Sequence, residues 1–315
     1  MTHSRGLDAG VSDSGFIARD DRDIFRLAPS MAAEVLETIA RRLEFRGTDA
    51  GYSRLSQAYF LRLPLAGARR ILALGCGTGV EVRALRRLTQ PDTAIIGVDH
   101  SPALIDVARR LTADEGLSDN VTYQVGDAHH VPYGDDEFDI VTLHTLISHA
   151  DDPLQVLREA RRLVRPSGTI AVFDGDYASL TFAYPDHAQA KTIEEKLIEL
   201  IVANPRIMRD LPRLLHATGL EMVETDGTLY ADIGTSSFWV SATESYGVLL
   251  ARSGLLPEAL VNDWRAFQAR SAAENTFFGA SNYYTYLTRR PEKAGQPSGD
   301  LDARRHADAG NRQVD

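Results

Sequence analysis

Short apolar runs alternate with amphipathic segments through the middle of the chain. The runs are nearly continuous in apolar residues, which is typical of strands that are buried on both faces of a sheet. They lie at residues 69–74, 94–99, 121–127, 138–144 and 169–175. Between them, apolar residues recur at helical spacing at 79–89, 101–113 and 153–164. This alternation predicts an α/β fold with a doubly wound, mostly parallel sheet.

Helical patterns flank this central unit on both sides. Before it, one helix is predicted over 29–45, with Gly47 as its end, and a second over 53–63. The apolar face of the first helix comprises Met31, Val35, Leu36, Ile39 and Leu43. After residue 176, helices are predicted at 192–203, 211–219, 241–252 and 258–273, and strands at 221–230 and 282–288.

The first apolar run leads directly into a turn that contains three glycines. Gly75, Gly77 and Gly79 stand where the predicted strand gives way to a helix. Glycines let the backbone turn tightly and let a ligand approach the main chain, and the helix N-terminus that follows offers unpaired N–H groups. The G-x-G-x-G spacing differs from the G-x-G-x-x-G of dinucleotide sites. Taken alone, the turn is also compatible with a simple tight connection.

Two aspartates strengthen the prediction of a ligand site. Asp99 ends the strand at 94–99, where a carboxylate can accept hydrogen bonds from both hydroxyls of a ribose. Asp127 ends the strand at 121–127, where it can accept from the amino group of adenine. Either residue alone is equally compatible with a helix cap or a turn. Because the carboxyl ends of parallel strands share one edge, the two aspartates and the glycine turn together predict a nucleoside pocket.

These segments resemble the class I S-adenosylmethionine-dependent methyltransferases. The matching stretches are LALGCGTG, GVDHSPALIDVAR and VGDAHHVPYGDDEFDIV, with a looser match in NYYTYLTRR near the end. Within that class, the chain is most similar to small-molecule enzymes of the ubiquinone and menaquinone C-methylation type. The resemblance implies a Rossmann-like, seven-stranded sheet whose last strand is antiparallel. It also implies S-adenosylmethionine as the cofactor.

The resemblance further assigns roles to individual residues. The glycine turn, with Gly75, Cys76, Gly77 and Gly79, is expected to face the methionine part of the cofactor. Asp99 is expected to bind the ribose, with His100 beside it. Asp127 and Ala128 are expected to contact the adenine, and His144 to lie near the sulfonium. These cofactor-binding candidates are Gly75, Cys76, Gly77, Gly79, Asp99, His100, Asp127, Ala128 and His144.

One position departs from the family pattern. The family usually has an acidic residue two positions before the first glycine, and this chain has Ala73 there. That carboxylate normally supports the glycine loop and the ammonium group of the cofactor. Backbone carbonyls or another acid must therefore satisfy the ammonium group in this chain.

Composition and the resemblance together predict a domain division. We expect a flexible arm at residues 1–20, a helical extension or lid at 21–66 and the S-adenosylmethionine-binding core at 67–176. Substrate-side helices and the final strands are expected at 177–290, and a disordered tail at 291–315. Residues 230–290 hold 11 of the 24 aromatic residues, some of which are expected to line a lipophilic or aromatic acceptor pocket.

Candidate catalytic residues are few, because methyl transfer needs alignment and a dry site more than acid or base. His144 and His149 follow the fourth predicted strand, and either is a candidate general base if the acceptor must lose a proton. His149 is equally compatible with a packing role. The histidines between 129 and 149 match no common metal-ligand spacing, so no metal is predicted. Cys76 lacks a partnered base and is predicted to be a small buried residue.

The composition of the chain limits the classes of partner that it is expected to bind. The net charge of −10 disfavours nucleic acid, and no segment approaches the roughly 18 apolar residues of a membrane span. A single cysteine suits a reducing, cytoplasmic compartment. A small-molecule acceptor is expected, and a homodimer is compatible with the sequence. Two other functions stay open, a nicotinamide-dependent oxidoreductase and a cofactor-binding relative of the fold that does not methylate.

Overall fold

The computed structural model describes residues 33–235 and 237–292. The predicted arm at 1–20 and all but the first two residues of the predicted tail at 291–315 lie outside the described residues. So do Met31 and the side chain of Val35, two apolar positions of the first predicted helix. The sheet and the helices that cover it lie within the described ranges.

Seven strands form one mixed sheet. They are β1 (Arg70–Leu74), β2 (Ala94–Asp99), β3 (Val121–Val125), β4 (Phe138–His144), β5 (Val164–Phe182), β6 (Glu221–Gly234) and β7 (Phe277–Arg289). Their order across the sheet is β3-β2-β1-β4-β5-β7-β6. Neighbours among β1 to β5 are parallel, whereas β7 is antiparallel to both β5 and β6. The prediction of a doubly wound, seven-stranded sheet with an antiparallel last strand is confirmed.

Each predicted helix has a counterpart in the structure. The helices are α1 (Ala33–Thr48), α2 (Ala50–Phe60), α3 (Val80–Leu88), α4 (Pro102–Asp114), α5 (Pro153–Leu163), α6 (His187–Ile201), α7 (Ile207–Ala217), α8 (Phe238–Ser253) and α9 (Glu258–Ala273). Side-chain caps fix several of the starts. Ser101, Asp152 and Asp186 each accept a hydrogen bond from a backbone N–H in the first turn of α4, α5 and α6.

The prediction that Gly47 ends the first helix is wrong, because α1 continues through Gly47 to Thr48. The glycine serves a close approach between helices instead. A Cβ atom at position 47 would lie 2.6 Å from a methyl carbon of Val80, at the start of α3. The absence of a side chain therefore lets α1 pack tightly against the helix that follows the glycine turn.

The predicted boundaries of β5 also differ from the structure. The apolar run predicts a strand over 169–175, whereas β5 continues to Phe182. Its second half pairs with β7, with Thr181 opposite Ala280 and Phe182 opposite Gly279. Pairing with a distant strand sets this end of β5, and the local apolar pattern carries no signal of it.

The core is divided by the sheet into two layers. On one face, Ile71 and Ala73 of β1 pack with residues of α1–α4, α6, α8 and α9. On the other face, Leu72 and Leu74 pack with residues of α5 and α7. Most buried aromatic side chains belong to the first layer, which therefore combines the amino-terminal helices and the aromatic-rich carboxyl-terminal part.

The pair α1–α2 is fastened to the carboxyl-terminal part by polar contacts. Asp49, the N-cap of α2, accepts hydrogen bonds from the Tyr230 hydroxyl at 2.8 Å and from the Ser237 hydroxyl at 2.5 Å. Arg42 donates to the Phe238 carbonyl at 3.2 Å, and its guanidinium lies 4.3 Å from the centre of that ring. These contacts hold α1–α2 across the edge of the sheet where β1 and β4 end.

Replacement of Gly79 by alanine is expected to destabilise the protein more than the same change at Gly116. Both residues have left-handed backbones, with φ of +80° and +67°, so both substitutions carry a strain of about 1–2 kcal/mol. Only at Gly79 would the new Cβ also meet a side chain, the Tyr123 hydroxyl at 2.4 Å. Urea unfolding should show an additional loss of about 1–3 kcal/mol for Gly79→Ala. Equal losses for the two variants would contradict the tight contact with Tyr123.

Candidate active site

The turn after β1 presents main chain, not side chains, to its surroundings. Gly75, Gly77 and Gly79 have φ of +68°, +52° and +80°, conformations that L side chains rarely adopt. A Cβ at Gly75 would lie 2.7 Å from the side chain of Leu146, and one at Gly77 would lie 3.0 Å from that of Leu43. Gly79 is the N-cap of α3. The glycines therefore shape a surface that a ligand can approach closely.

Asp99 ties this turn to the end of β2. One carboxylate oxygen accepts the Gly77 amide at 2.8 Å, and the other accepts the Ser101 amide at 2.9 Å. The second oxygen also lies 3.3 Å from Nδ1 of His100. Asp99 is buried, with 6% of its surface exposed. A carboxylate has about four acceptor sites, so Asp99 holds the turn and still has capacity for a ligand.

A cavity of about 360 Å³ opens beside this residue, and we call it the Asp99 cavity. Its lining includes the predicted residues Gly75, Gly77, Asp99, His100, Asp127, Ala128 and His149. Asp127 is exposed and accepts the His129 amide at 2.9 Å, with Nδ1 of the His129 ring at 2.6 Å. Burial raises the pKa of Asp127, but these hydrogen bonds lower it more, so the carboxyl has a pKa below its usual range. The cavity thus carries two acidic side chains, Asp99 at the end of β2 and Asp127 two residues beyond β3, which ends at Val125 and not at the predicted residue 127.

A second cavity, of about 400 Å³, lies between α1–α2 and α3, and we call it the Glu81 cavity. Two predicted residues, Cys76 and His144, line this cavity and not the first one. The residues that line both cavities are Leu43, Arg46, Gly75, Gly77 and Thr145. The two cavities therefore adjoin at the glycine turn, where Arg46 also donates to the Thr145 hydroxyl at 3.4 Å.

A chain of polar groups borders the Glu81 cavity. The Tyr59 hydroxyl donates to Glu81 Oε1 at 3.0 Å and lies 2.8 Å from Nδ1 of His144. When Glu81 is ionised, the single proton of that hydroxyl goes to the carboxylate, and His144 then donates from Nδ1 to the Tyr59 oxygen. Its other nitrogen, Nε2, is then an acceptor that faces the Tyr52 hydroxyl at 3.5 Å. This series of polar groups extends from the Tyr52 hydroxyl through His144 and the Tyr59 hydroxyl to the carboxyl of Glu81.

Burial determines the protonation states of His144 and Glu81 in this series of polar groups. Burial, reinforced by the nearby charge of Arg46, lowers the pKa of His144 to about 3. Burial raises the pKa of Glu81 to about 7, against hydrogen bonds from Thr142 and Tyr59 that lower it. His144 is therefore a neutral, weakly basic imidazole at neutral pH, and Glu81 is poised between its two protonation states.

His149 has different surroundings, at the wall of the Asp99 cavity. Its ring lies edge-on to Tyr177, with 6.0 Å between ring centres. The buried carboxyl of Asp174 lies nearby at the end of the sheet and accepts the Ser148 amide at 3.0 Å. Burial raises the pKa of Asp174, and the charge of His149 lowers it in part. This position combines access to the cavity with a neighbouring acid.

The structure brings most of the predicted residues together, and it adds others. Gly79 lines neither cavity, because it caps α3. Burial raises the pKa of the Cys76 thiol well above its ordinary value, which leaves it protonated. Sequence reasoning missed Arg46 and Glu81. Acids in a first helical turn and cations in a last turn are usual on solvated helices, so neither residue carried a distinguishing signal.

Among the residues that the structure describes, no three His, Cys, Asp or Glu side chains are grouped so that they could hold a metal ion. None of the described helices has the length and apolar character needed to cross a bilayer.

Comparison with known proteins identifies the class to which this fold and site belong. A family model described as "Methyltransferase domain" matches residues 66–236, just over half of the 315-residue chain. The chain belongs to this methyltransferase family, and the sequence-based resemblance is confirmed.

Individual relatives are similar over shorter stretches. The demethylmenaquinone methyltransferase of Lactobacillus johnsonii is 31% identical over 41% of this chain and 51% of its own length. The 27-O-demethylrifamycin SV methyltransferase of Amycolatopsis mediterranei is 30% identical over 45% of this chain and 51% of its own length. The chain thus spans about half the length of these curated relatives.

Among solved structures, the [4+2]-cyclase SpnF is similar in fold. It superposes with a TM-score of 0.50 and 20% identity, covering 77% of this chain and 82% of its own. At this level of identity the likeness shows the fold alone.

Glu81→Gln is expected to remove a pH-dependent loss of stability. The pKa of this carboxyl is about 7 in the folded protein, against an ordinary value of 4.5. The folded state therefore holds a proton that the unfolded chain releases, so stability falls as pH rises through this window. The groups that act on Glu81 from neighbouring elements are Thr142 on β4 and Tyr59 on α2. Unfolding in urea at pH 4.5 and pH 8 should show the variant gaining up to about 3 kcal/mol over the parent at the higher pH.

A difference between variant and parent that is the same at both pH values would contradict the raised pKa. The neutral amide of glutamine keeps the shape of the side chain. Loss of packing is therefore excluded as the source of any pH dependence.

Proposed function

We propose that this enzyme transfers the methyl group of S-adenosylmethionine to a small, mostly apolar acceptor by in-line displacement. The observation that carries the proposal is the meeting of two cavities at a bare glycine turn, one of them bordered by Asp99 and Asp127. The bound cofactor supplies a methyl group made electrophilic by its sulfonium. The protein has to bind, align and enclose the two reactants.

The residues present fit this cofactor. The Asp99 cavity suits the nucleoside, with Asp99 toward the ribose hydroxyls and Asp127 and Ala128 toward the adenine. Gly75 and Gly77 line both cavities and suit the part of the ligand that crosses from one to the other. A Cβ at Gly75 would already crowd Leu146, so any side chain there would fill the space between the cavities. An elongated ligand with a nucleoside at one end matches this shape.

The pair α1–α2 supplies the enclosure. Tyr52 and Tyr59 are 2% and 1% exposed, and Arg46 is 6% exposed, although all three are polar. Methyl transfer neutralises the positive charge of the sulfonium, so a water-poor site favours the reaction over its starting state. We therefore propose that α1–α2 act as the lid of the active site.

The acceptor is proposed to be lipophilic or aromatic. Phe173 lies 4.8 Å from the His144 ring and stacks on Tyr283 at 5.6 Å, and Tyr52 stacks on Phe238 at 5.0 Å. Tyr52 lines the Glu81 cavity, and the other three rings pack behind it. The names of the relatives from L. johnsonii and A. mediterranei, which refer to demethylmenaquinone and a demethylrifamycin, agree with an acceptor of this type.

His149 is the better candidate for a general base, where the acceptor must lose a proton. It lines the Asp99 cavity and has the acid Asp174 nearby to stabilise the cation that proton uptake produces. His144 has a pKa of about 3 and a ring nitrogen engaged by Tyr59. We therefore propose that His144 positions the hydroxyl groups around it and that His149 takes the proton.

The charge of the chain bears on its partners and location. A net charge of −10 opposes binding to a phosphate backbone, so we propose a free small molecule as the acceptor. The single cysteine, which is buried, suits a reducing compartment, and we propose the cytoplasm.

A binding protein that keeps the fold without methyl transfer is the second candidate. Ala73 favours it, because the acid usual in the family at this position is absent. A nicotinamide-dependent oxidoreductase is disfavoured by the family match and by the spacing of the glycines. Transfer of a labelled methyl group from the cofactor to an acceptor distinguishes a methyltransferase from a binding protein that does not methylate.

Asp127→Ala is expected to weaken binding of S-adenosylhomocysteine about tenfold, because the adenine loses its hydrogen-bond acceptor. Asp127 tests the site more cleanly than Asp99, whose removal would also release the glycine turn. The exposed Asp114, at the end of α4, provides the matched control, and Asp114→Ala should bind as the parent does. Calorimetric titration measures the three affinities. Equal affinities in all three proteins would remove Asp127 from the binding site.

Incubation with methyl-labelled cofactor and a panel of quinone, phenol and macrolactone acceptors is expected to give a labelled product. His149→Asn should lower kcat about a hundredfold or more for an acceptor that must lose a proton, while the affinity for S-adenosylhomocysteine stays unchanged. His144→Asn serves as the comparison. Binding of the cofactor without transfer to any acceptor would favour the non-methylating candidate. A larger loss of kcat in His144→Asn than in His149→Asn would reverse the assignment of the base.

A further inference from the structure

Position 73 has no polar side chain of its own. Ala73 is fully buried in β1 and stands in register with Gly97 on β2 and Thr142 on β4. Neither Ala73 nor Gly97 has a side chain that can accept a hydrogen bond. An ammonium group bound near the glycine turn therefore relies on backbone carbonyls or on an acid from another element, and only an acid would also balance its charge.

Glu81 reaches the same region from the first turn of α3. It is 5% exposed, and one carboxyl oxygen accepts from Tyr59 at 3.0 Å. The other oxygen, Oε2, is buried and has no close hydrogen-bond partner among the described residues, because the nearby Thr142 hydroxyl donates to the Leu72 carbonyl at 3.5 Å. Glu81 also lines the cavity next to the glycine turn. Thr142, the neighbour of Ala73 on β4, is close enough to affect the ionisation of Glu81. The carboxyl therefore lies beside the vacant position.

We propose that Glu81 binds the α-ammonium group of the cofactor's methionine part and so replaces the acid that is absent at position 73. This inference rests on the proposed cofactor site. Oε2 supplies the unused acceptor, and an ammonium group supplies the missing donor and the compensating charge. Arg46, which lines the same cavity, supplies the cation for the carboxylate at the other side of the amino-acid group.

Other carboxyl groups of this cavity are already paired with cations. Glu44 contacts Arg83 at 2.6 Å, and Glu115 contacts Arg83 at 2.9 Å and also Arg87. Glu81 is hydrogen-bonded to a tyrosine hydroxyl and has no ion pair in the part of the chain that the structure describes. It is therefore the carboxyl whose charge a ligand cation would balance.

The surroundings of Glu81 also predict a proton change on binding. Tyr59 from α2 and Thr142 from β4 act on the carboxyl, which in turn acts on the Cys76 thiol of the glycine turn. Burial raises its pKa to about 7, so below neutral pH the free protein carries the acid in its protonated form. An ammonium group beside it favours the carboxylate, and the displaced proton passes to the buffer.

Two ligands separate the amino-acid subsite from the nucleoside subsite. S-adenosylhomocysteine carries the ammonium group, and 5′-methylthioadenosine lacks the amino-acid part. Glu81→Gln should weaken the first ligand about ten- to hundredfold and leave the second within about twofold. Glu44→Gln is the matched control, because it removes a carboxylate of the same cavity that an arginine already neutralises. It should leave both affinities unchanged. Titrations at pH 6 in buffers of different ionisation enthalpy should show proton release for S-adenosylhomocysteine with the parent and none with Glu81→Gln.

The outcomes distinguish this proposal from the one on which it rests. Loss of both ligands by the parent protein would refute the cofactor site itself. Retained binding of both ligands by Glu81→Gln, or an equal loss of both, would overturn the role of Glu81 alone. A loss of S-adenosylhomocysteine binding in Glu44→Gln would assign the ammonium group to that residue instead. Ala73→Asp in the Glu81→Gln background should recover most of the lost affinity, and a failure to recover while methylthioadenosine still binds would also count against the replacement.

Discussion

The hydrogen bond from the Gly77 amide to the Asp99 carboxylate is the contact on which the site depends. It fastens the turn after β1 to the end of β2, and it requires both a left-handed residue at 77 and an acid at 99. Because Asp99 also accepts the Ser101 amide, one carboxylate fixes the start of α4 and the wall of the Asp99 cavity. An acid that was free to turn toward solvent would leave two buried amides without partners, at a cost of about 1–3 kcal/mol each. Asp99 therefore contributes both to the proposed ligand site and to the stability of the turn.

The cover over the sheet edge is built from groups that are costly to bury. Arg46 is charged, and Glu81 has a carboxyl that can gain or lose a proton near neutral pH. Both residues line the cavity between the helices and are not part of a packed core. The guanidinium of Arg46 lies 5.8 Å from the centre of the Tyr52 ring, a position in which the ring favours the cation. In the proposed complex, a zwitterionic ligand lies between Arg46 and Glu81, with one of its charged groups toward each residue. The buried polar groups of α1–α2 suit a binding surface, whereas two helices that only packed against the core would be more stable with apolar residues at these positions.

The sequence was informative where a local pattern has one structural meaning. Continuous apolar runs predicted the parallel strands, and three glycines with two strand-end acids predicted the Asp99 cavity. It was uninformative where distant segments decide the outcome. The second half of β5 exists because β7 pairs with it, and Gly47 is needed because Val80 packs against it. Glu81 looked like an ordinary first-turn acid, since nothing local shows that Tyr59 and Thr142 would converge on it. Burial of a polar residue is a property of the folded chain, and one sequence contains no direct record of it.

The placement of the acid on α3 and not on β1 has a physical consequence. A carboxylate at position 73 would stand on a fully buried strand, with only a glycine and a threonine, Gly97 and Thr142, in register on the neighbouring strands. Glu81 sits at the helix N-terminus, bonded to Tyr59, with a pKa of about 7. It can therefore hold a proton in the free protein and avoid an uncompensated buried charge. Ionisation then accompanies the arrival of a cation. The protonated acid keeps the free protein stable, and as a consequence the affinity for the ligand depends on pH near neutrality. An acid with an ordinary pKa would not show this dependence.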